Sequence, residues 1–140
     1  MSAYNFKKRW ELQLRAGTKL TTLRANRKDR REPRIGEPFS AFVGMRTKHC
    51  RRLFDSTIVN IDRIELDVAL GEGGITPIKY SVFRNNELMR PAPALQLARD
   101  DGFKNLGQLI SFFEAEHDVD RKPFRGWLIR WAQPVTWCGR

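Results

Sequence analysis

The sequence is poor in cysteine and histidine, the residues that most often build zinc sites and disulfide frameworks. It contains two cysteines, Cys50 and Cys138, and two histidines, His49 and His117. These four residues supply no spaced pair of the kind that begins a zinc motif. We therefore expect two free thiols, no bound metal and no other cofactor.

Long apolar runs and acidic residues are also scarce. No uninterrupted apolar run approaches the roughly 18 residues needed to span a bilayer, and the N-terminus lacks the apolar core of a signal peptide. We therefore expect a cytoplasmic protein with no membrane partner. The 16 Asp and Glu residues are outnumbered by 26 Lys and Arg, which gives a formal charge of +10. This excess favours RNA or another nucleic acid as the partner over a role in solubility alone, because the basic residues are clustered.

What the sequence does contain is enough apolar material for one folded domain spanning residues 1–140. Apolar residues make up 41% of the chain, and a chain of this length can bury a core. Alternation of apolar and polar side chains predicts strands at 39–43, 58–70, 78–82 and 124–135. The strand at 58–70 changes parity along its length, which predicts a β-bulge near Asp62 and Arg63. The glycine-rich segment 71–74 predicts a hairpin turn, and 84–93 predicts a loop that leaves the sheet.

Helical spacing occurs in three places. Phe6, Trp10 and Leu14 recur every four residues, and Gly17 predicts a left-handed cap that ends this helix. A second helix is predicted around 95–98. A third begins near Asn105, which together with Gln108 resembles a capping box. The mixture of strands and helices predicts an α+β fold.

The segment that organises the chain is 16–24, with the sequence AGTKLTTLR. The pattern of Gly17, Lys19, Thr22 and Arg24, followed by a Gly-Glu pair at 36–37, resembles the ASCH domain family, a branch of the PUA-like β-barrel superfamily. Further matches follow in the expected order at 44–48, 101–103 and 126–131. The resemblance covers most of the chain, from about residue 6 to residue 131.

The resemblance implies a specific form of the α+β fold and a specific site. It implies a single ASCH-like domain in which a small, mostly antiparallel PUA-like β-barrel is flanked by two or three α-helices. The central pocket of that barrel should be lined by residues of the 17–24 stretch, with Arg24 at its edge.

The resemblance also implies a catalytic set. In ASCH proteins that hydrolyse the N4-acyl group of modified cytidine, a lysine, a threonine and an acidic residue form the proposed set, and these match Lys19, Thr22 and Asp101. Asp100 is the alternative acid. A threonine hydroxyl needs a base to become nucleophilic, and a desolvated lysine can provide one. Lys19 and Thr22 would lie on opposite faces of an ideal strand, so a joint site requires a bulge, a turn or a sharp twist between them.

Basic residues near this motif are expected to contact nucleic acid or substrate. The residues are Arg24, Arg27, Lys28, Arg30 and Arg31 in and after the motif, and Arg46, Lys48, Arg51 and Arg52 in a second cluster. The four tryptophans are more than this length needs, and one or two exposed rings beside arginines would stack on unpaired bases. Trp10 and Trp127 are expected to lie in the core instead.

The function that we expect from these features is binding of RNA or a modified nucleoside through a central pocket with a basic rim. The first alternative is an amidohydrolase that removes the N4-acyl group of acylated cytidine. Ribonuclease activity is a further alternative, and so is a basic adaptor that binds another protein.

Overall fold

The computed structural model describes residues 2–26, 31–70, 77–116, 124–133 and 135–138. Within this part of the chain it contains eight strands and three α-helices, the first helix directly following a 3-10 turn at Lys8–Trp10. The strands are β1 (Ser2–Phe6), β2 (Thr21–Ala25), β3 (Pro38–Val43), β4 (Arg51–Leu70), β5 (Pro77–Arg84), β6 (Glu87–Leu88), β7 (Phe124–Trp131) and β8 (Thr136–Trp137). The helices are α1 (Glu11–Ala16), α2 (Pro91–Asp100) and α3 (Leu106–Glu116).

The sheet is built on the long strand β4, which pairs antiparallel with β3, β5, β7 and β8. Strand β2 pairs antiparallel with β7, and among the described strands only β1 is parallel to its neighbour, β3. The sheet is therefore mixed and mostly antiparallel, and the α+β class is confirmed. Among the described strands the pairing leaves the sheet open, so closure into a barrel stays a prediction.

The parity change in β4 has a different location from the one predicted. The register against β7 shifts between Ile58 and Asn60, which puts the irregularity at Val59 and not near Arg63. The prediction failed because it took the apolar residues Val59 and Ile61 as facing inward, whereas Val59 is exposed and Ile61 is half-buried. Asp62 is buried, and the side chains of Asn60, Arg84 and Asn85 donate hydrogen bonds to its carboxylate.

Predictions about turns and caps are confirmed where they depend on local chemistry. Gly17 ends α1 with φ of 74°. The Asn105 side chain accepts a hydrogen bond from the Gln108 amide at 2.8 Å, and the Gln108 side chain accepts one from the Lys104 amide. The hairpin pairing of β4 with β5 is also observed, while the turn predicted at 71–74 lies outside the described residues.

Two element predictions were wrong. Phe6 belongs to β1 and not to the first helix, because residues 2–6 pair with β3, some 37 positions further along the chain. The loop predicted at 84–93 contains β6, since Asn85 and Asn86 adopt φ of 51° and 69° and return the chain onto β5. Asparagine tolerates this left-handed conformation, which suits a two-residue hairpin turn.

The core combines one face of the sheet with the helices. Trp10 and Trp131 are 5% and 3% exposed, whereas Trp127 is only half-buried, which corrects its predicted core position. The guanidinium group of Arg63 lies 5.2 Å from the centre of the Trp127 ring, so part of this ring faces a charged surface. No helix in the described part of the chain has the length and apolarity needed to cross a membrane.

Candidate functional site

The position of Lys19 is set by the ends of two helices. After the Gly17 cap, the backbone amides of Thr18 and Lys19 donate to the Gln13 carbonyl at 3.0 and 3.2 Å, which ties this segment to the end of α1. The next amide, that of Leu20, donates to the Asp100 carbonyl at 2.7 Å, at the end of α2. Lys19 therefore precedes β2, and strand parity does not separate it from Thr22.

Lys19 and Asp101 form a buried pair. The Lys19 Nζ donates to the Asp101 carbonyl oxygen at 2.6 Å and lies 3.4 Å from its carboxylate Oδ1. Both residues are 3% exposed, and the Thr21 hydroxyl donates to the same Oδ1 at 3.0 Å. Asp100, the alternative acid, instead accepts hydrogen bonds from Arg130 and Gln96.

Burial acts on both members of this pair. Loss of water lowers the pKa of the Lys19 amine, and the charge of Arg24 lowers it further, while attraction to Asp101 works in the opposite direction. Loss of water likewise raises the pKa of the Asp101 carboxyl, against the pull of Lys19 and the Thr21 hydrogen bond. Burial thus favours the neutral form of each group, which is the form in which an amine acts as a base.

Thr22 and Arg24 share one face of β2 because they are two residues apart. The Arg24 Nε donates to the Thr22 hydroxyl oxygen at 3.0 Å, and its Nη2 donates to the Asn5 carbonyl at 2.8 Å. The guanidinium group lies 5.1 Å from the Tyr4 ring and 5.0 Å from the Phe6 ring. Arg24 is thus fixed in place, and it presents a positive charge to the Thr22 hydroxyl.

Lys19, Thr22, Arg24 and Asp101 line one cavity of about 180 Å³, which we call the lysine cavity. Its apolar walls are mostly aromatic, and the rings are those of Phe6, Trp10, Phe103, Phe112 and Phe113. The Lys19 amine lies 4.6 Å from the centre of the Trp10 ring, a favourable cation–π distance. The structure thus brings together the three residues predicted as catalytic and the arginine predicted at the pocket edge.

Thr21 and Asn5 belong to the site but were not selected from the sequence. Thr21 supplies the hydroxyl group that donates to the Asp101 carboxylate. Thr21 directly precedes Thr22 in the motif, so the sequence did indicate a second hydroxyl group close to the predicted one. Asn5 supplies the carbonyl that holds Arg24, and its side chain also accepts a hydrogen bond from the Met45 amide at 3.0 Å. No local sequence feature marks Asn5.

The predicted basic surface divides into three groups. Arg46 and Lys48 are exposed in a loop whose Met45 amide donates to Asn5, a residue that lines the lysine cavity. Arg31, Arg51 and Arg52 have partners within the protein, which are Glu37 for Arg31, Glu11 for Arg51 in a two-bond ion pair, and Asp55 with Cys138 for Arg52. Arg27, Lys28 and Arg30 lie outside the described residues.

The Glu11–Arg51 pair ties α1 to β4. Arg51 Nη1 and Nη2 donate to the two carboxylate oxygens of Glu11 at 2.9 and 2.6 Å, and Arg15 adds a third contact at 3.2 Å. Hydrogen bonding from Arg51 lowers the pKa of Glu11 from 4.5 to about 2. This arginine therefore has a clear structural role.

Cys50 is exposed and Cys138 half-buried, and both are free thiols. Among the residues that the structure describes, no three His, Cys, Asp or Glu side chains are grouped closely enough to hold a metal ion.

Comparisons of the chain with protein-family models, with curated proteins and with solved structures found no match. Any functional proposal therefore depends on the chemistry of the lysine cavity and its surroundings.

Proposed function

We propose that the lysine cavity binds a single nucleobase, belonging to RNA or to a modified nucleoside, in an ASCH-like domain of PUA-like barrel architecture. The observation that carries this proposal is the aromatic-walled cavity itself, with polar groups of both hydrogen-bonding types at its edge. Its volume of about 180 Å³ is below the roughly 300 Å³ at which cavities for drug-sized ligands begin. A flat ligand of one or two rings is therefore favoured over a larger one.

The chemistry of the cavity suits the edge and the faces of a base. Arg24 is a donor, the Asp101 carboxylate is an acceptor, and the Thr22 hydroxyl is both. Aromatic rings such as those of Phe112 and Phe103 provide stacking surfaces, which proteins use to hold unpaired bases. The exposed charges of Arg46 and Lys48, in the loop that contacts Asn5 through Met45, favour a phosphate-bearing ligand, and their effect should weaken as salt is added.

Isothermal titration calorimetry with cytidine, N4-acetylcytidine and a single-stranded RNA tests this proposal. We expect wild-type protein to bind at least one of the three. Thr22→Val should weaken that binding on the order of tenfold, because valine is similar in size to threonine but lacks the hydrogen-bonding hydroxyl group. Thr18→Val is the matched control, because Thr18 is exposed and does not line the cavity. Absence of binding to all three ligands at low salt would remove the proposal.

The second candidate is hydrolysis of an N4-acylated cytidine, and the buried Lys19–Asp101 pair is the observation that favours it. In this mechanism neutral Lys19 takes the proton of Thr22 as its oxygen attacks the acyl carbonyl carbon. The resulting ammonium returns that proton to the leaving N4 amine, and cytidine departs. Water then hydrolyses the threonine ester and releases the carboxylic acid. Arg24, which donates to the Thr22 oxygen, stabilises the developing negative charge.

Release of cytidine from N4-acetylcytidine, followed by chromatography, distinguishes this candidate from simple binding. Lys19→Met and Thr22→Val should each abolish turnover, while Thr18→Val should retain it. Because the base is the neutral amine, the rate should rise with pH through the lowered pKa of Lys19 and then level off. A folded protein that binds the compound without releasing cytidine leaves only the binding function.

A further inference from the structure

We propose that a second nucleic-acid subsite, built around Trp127, continues from the lysine cavity and holds the nucleotides that neighbour the base bound there. This inference rests on the proposed function and adds the path of a single strand across the protein. Two adjoining depressions form the subsite, which we call the tryptophan groove. The larger has a volume of about 560 Å³ and the smaller about 60 Å³, and both are lined by Asn26 and Trp127.

The lysine cavity and the tryptophan groove follow one another along β2. Arg24 and Ala25 line the lysine cavity, and Ala25 and Asn26 line the smaller depression of the groove. Asn26 and Trp127 then line the larger depression. Neighbouring depressions thus share lining residues, and the three follow one another in the order of the chain. This arrangement suits a linear ligand better than three separate small molecules.

Trp127 has the properties of a stacking platform. It is half-buried, in contrast to Trp10 and Trp131, which are 5% and 3% exposed. Its ring borders both depressions of the groove. Aromatic side chains at such positions stack on bases of a single strand with little regard to sequence, because every base presents a flat face.

Arg63 adds a positive charge next to this ring. Its guanidinium group lies 5.2 Å from the Trp127 ring centre, and it forms no ion pair with any residue that the structure describes. The other arginine of the larger depression, Arg125, is paired with Glu65 at 2.8 Å. Arg63 is therefore the cation of this depression that a phosphate can reach without first separating an ion pair.

Two carboxamides complete the groove. Asn26 and Asn86 line the larger depression, and their side chains make no hydrogen bond to the parts of the chain covered by the structure. A carboxamide offers both a donor and an acceptor, which matches the edges of unpaired bases. Stacking on Trp127, a phosphate at Arg63 and base edges at the carboxamides together favour single-stranded nucleic acid over a duplex, whose bases are already paired.

Fluorescence anisotropy with a labelled single-stranded RNA hexamer, together with calorimetry using cytidine, tests this subsite. Trp127→Leu should weaken hexamer binding on the order of tenfold through loss of stacking. Arg63→Gln should weaken it about threefold and reduce the slope of log affinity against log salt by about 0.7, the value for one lost phosphate contact on a single strand. Neither change should alter cytidine affinity by more than about twofold, because neither residue lines the lysine cavity.

Arg99→Gln is the matched control for Arg63→Gln, since Arg99 is exposed on α2 and lines neither cavity. It removes the same charge and should leave the salt slope close to that of wild type. Unchanged hexamer affinity in both Trp127→Leu and Arg63→Gln would overturn the subsite even if cytidine binds. Absence of hexamer binding to wild type would overturn it as well. Hexamer binding with the expected losses but no cytidine binding would support the groove and count against the proposed function of the lysine cavity.

Discussion

Removing either charge of the buried Lys19–Asp101 pair should destabilise the protein about as much as removing both. At 3.4 Å and an effective dielectric constant near 20, two unit charges attract by about 5 kcal/mol before the cost of desolvation is subtracted. Breaking a buried pair by deleting one partner costs about 3–5 kcal/mol, because the remaining charge is left uncompensated. We expect about 3 kcal/mol for Lys19→Met, near the lower limit, since the raised pKa of Asp101 allows this carboxyl to take up a proton.

The two single variants and the double variant form a thermodynamic cycle. Asp101→Asn should also cost about 3 kcal/mol, while the double variant should cost about the same as either single change, which corresponds to a coupling energy of about 3 kcal/mol. Urea denaturation followed by circular dichroism at pH 7 measures all four free energies of unfolding. Additive losses, with a coupling below about 0.5 kcal/mol, would contradict the buried pair on which the site is built.

Two further predictions concern the supports of the site. Gly102→Ala should destabilise the protein by roughly 1–3 kcal/mol more than Gly36→Ala in urea denaturation. Both glycines have positive φ, but only at Gly102 would a Cβ atom meet the Trp10 ring, at 2.8 Å. Equal losses would show that the cost comes from the backbone conformation alone. The lowered pKa of Glu11 means that its contribution to stability is complete above about pH 4.5 and is lost as the pH falls towards 2. The melting temperature of Glu11→Gln should therefore fall less steeply than that of wild type between pH 5 and 2, and parallel curves would exclude this role for the Arg51 contact.

Local chemistry made part of the fold predictable. The Gly17 cap and the Asn105–Gln108 cap depend on residues within a few positions of each other, and both were found. The pairing of β4 with β5 followed from alternation on both sides of a glycine-rich segment. By contrast, β1 is held by β3, some 37 positions away, and nothing within residues 2–6 indicates that pairing.

The site shows the same division between local and distant information. The motif around Lys19 identified residues that line one cavity, but it did not assign the hydroxyl on Asp101 to Thr21. That assignment depends on where β2 begins, because one residue of displacement exchanges the two faces of a strand. Arg51 was predicted to contact nucleic acid or substrate. The sequence did not reveal its ion pair, because the partner Glu11 lies 40 positions earlier in the chain.

The central claim, that the lysine cavity binds a nucleobase, is tested most directly by mapping the bound ligand on the protein. Two-dimensional ¹⁵N–¹H NMR spectra recorded during titration with N4-acetylcytidine report this position residue by residue. We predict that the largest shifts of backbone amide signals fall within 19–24 and 101–103, the two segments that meet at the Lys19–Asp101 pair. Saturable shifts confined to other parts of the chain, or no shifts at millimolar ligand, would contradict the claim.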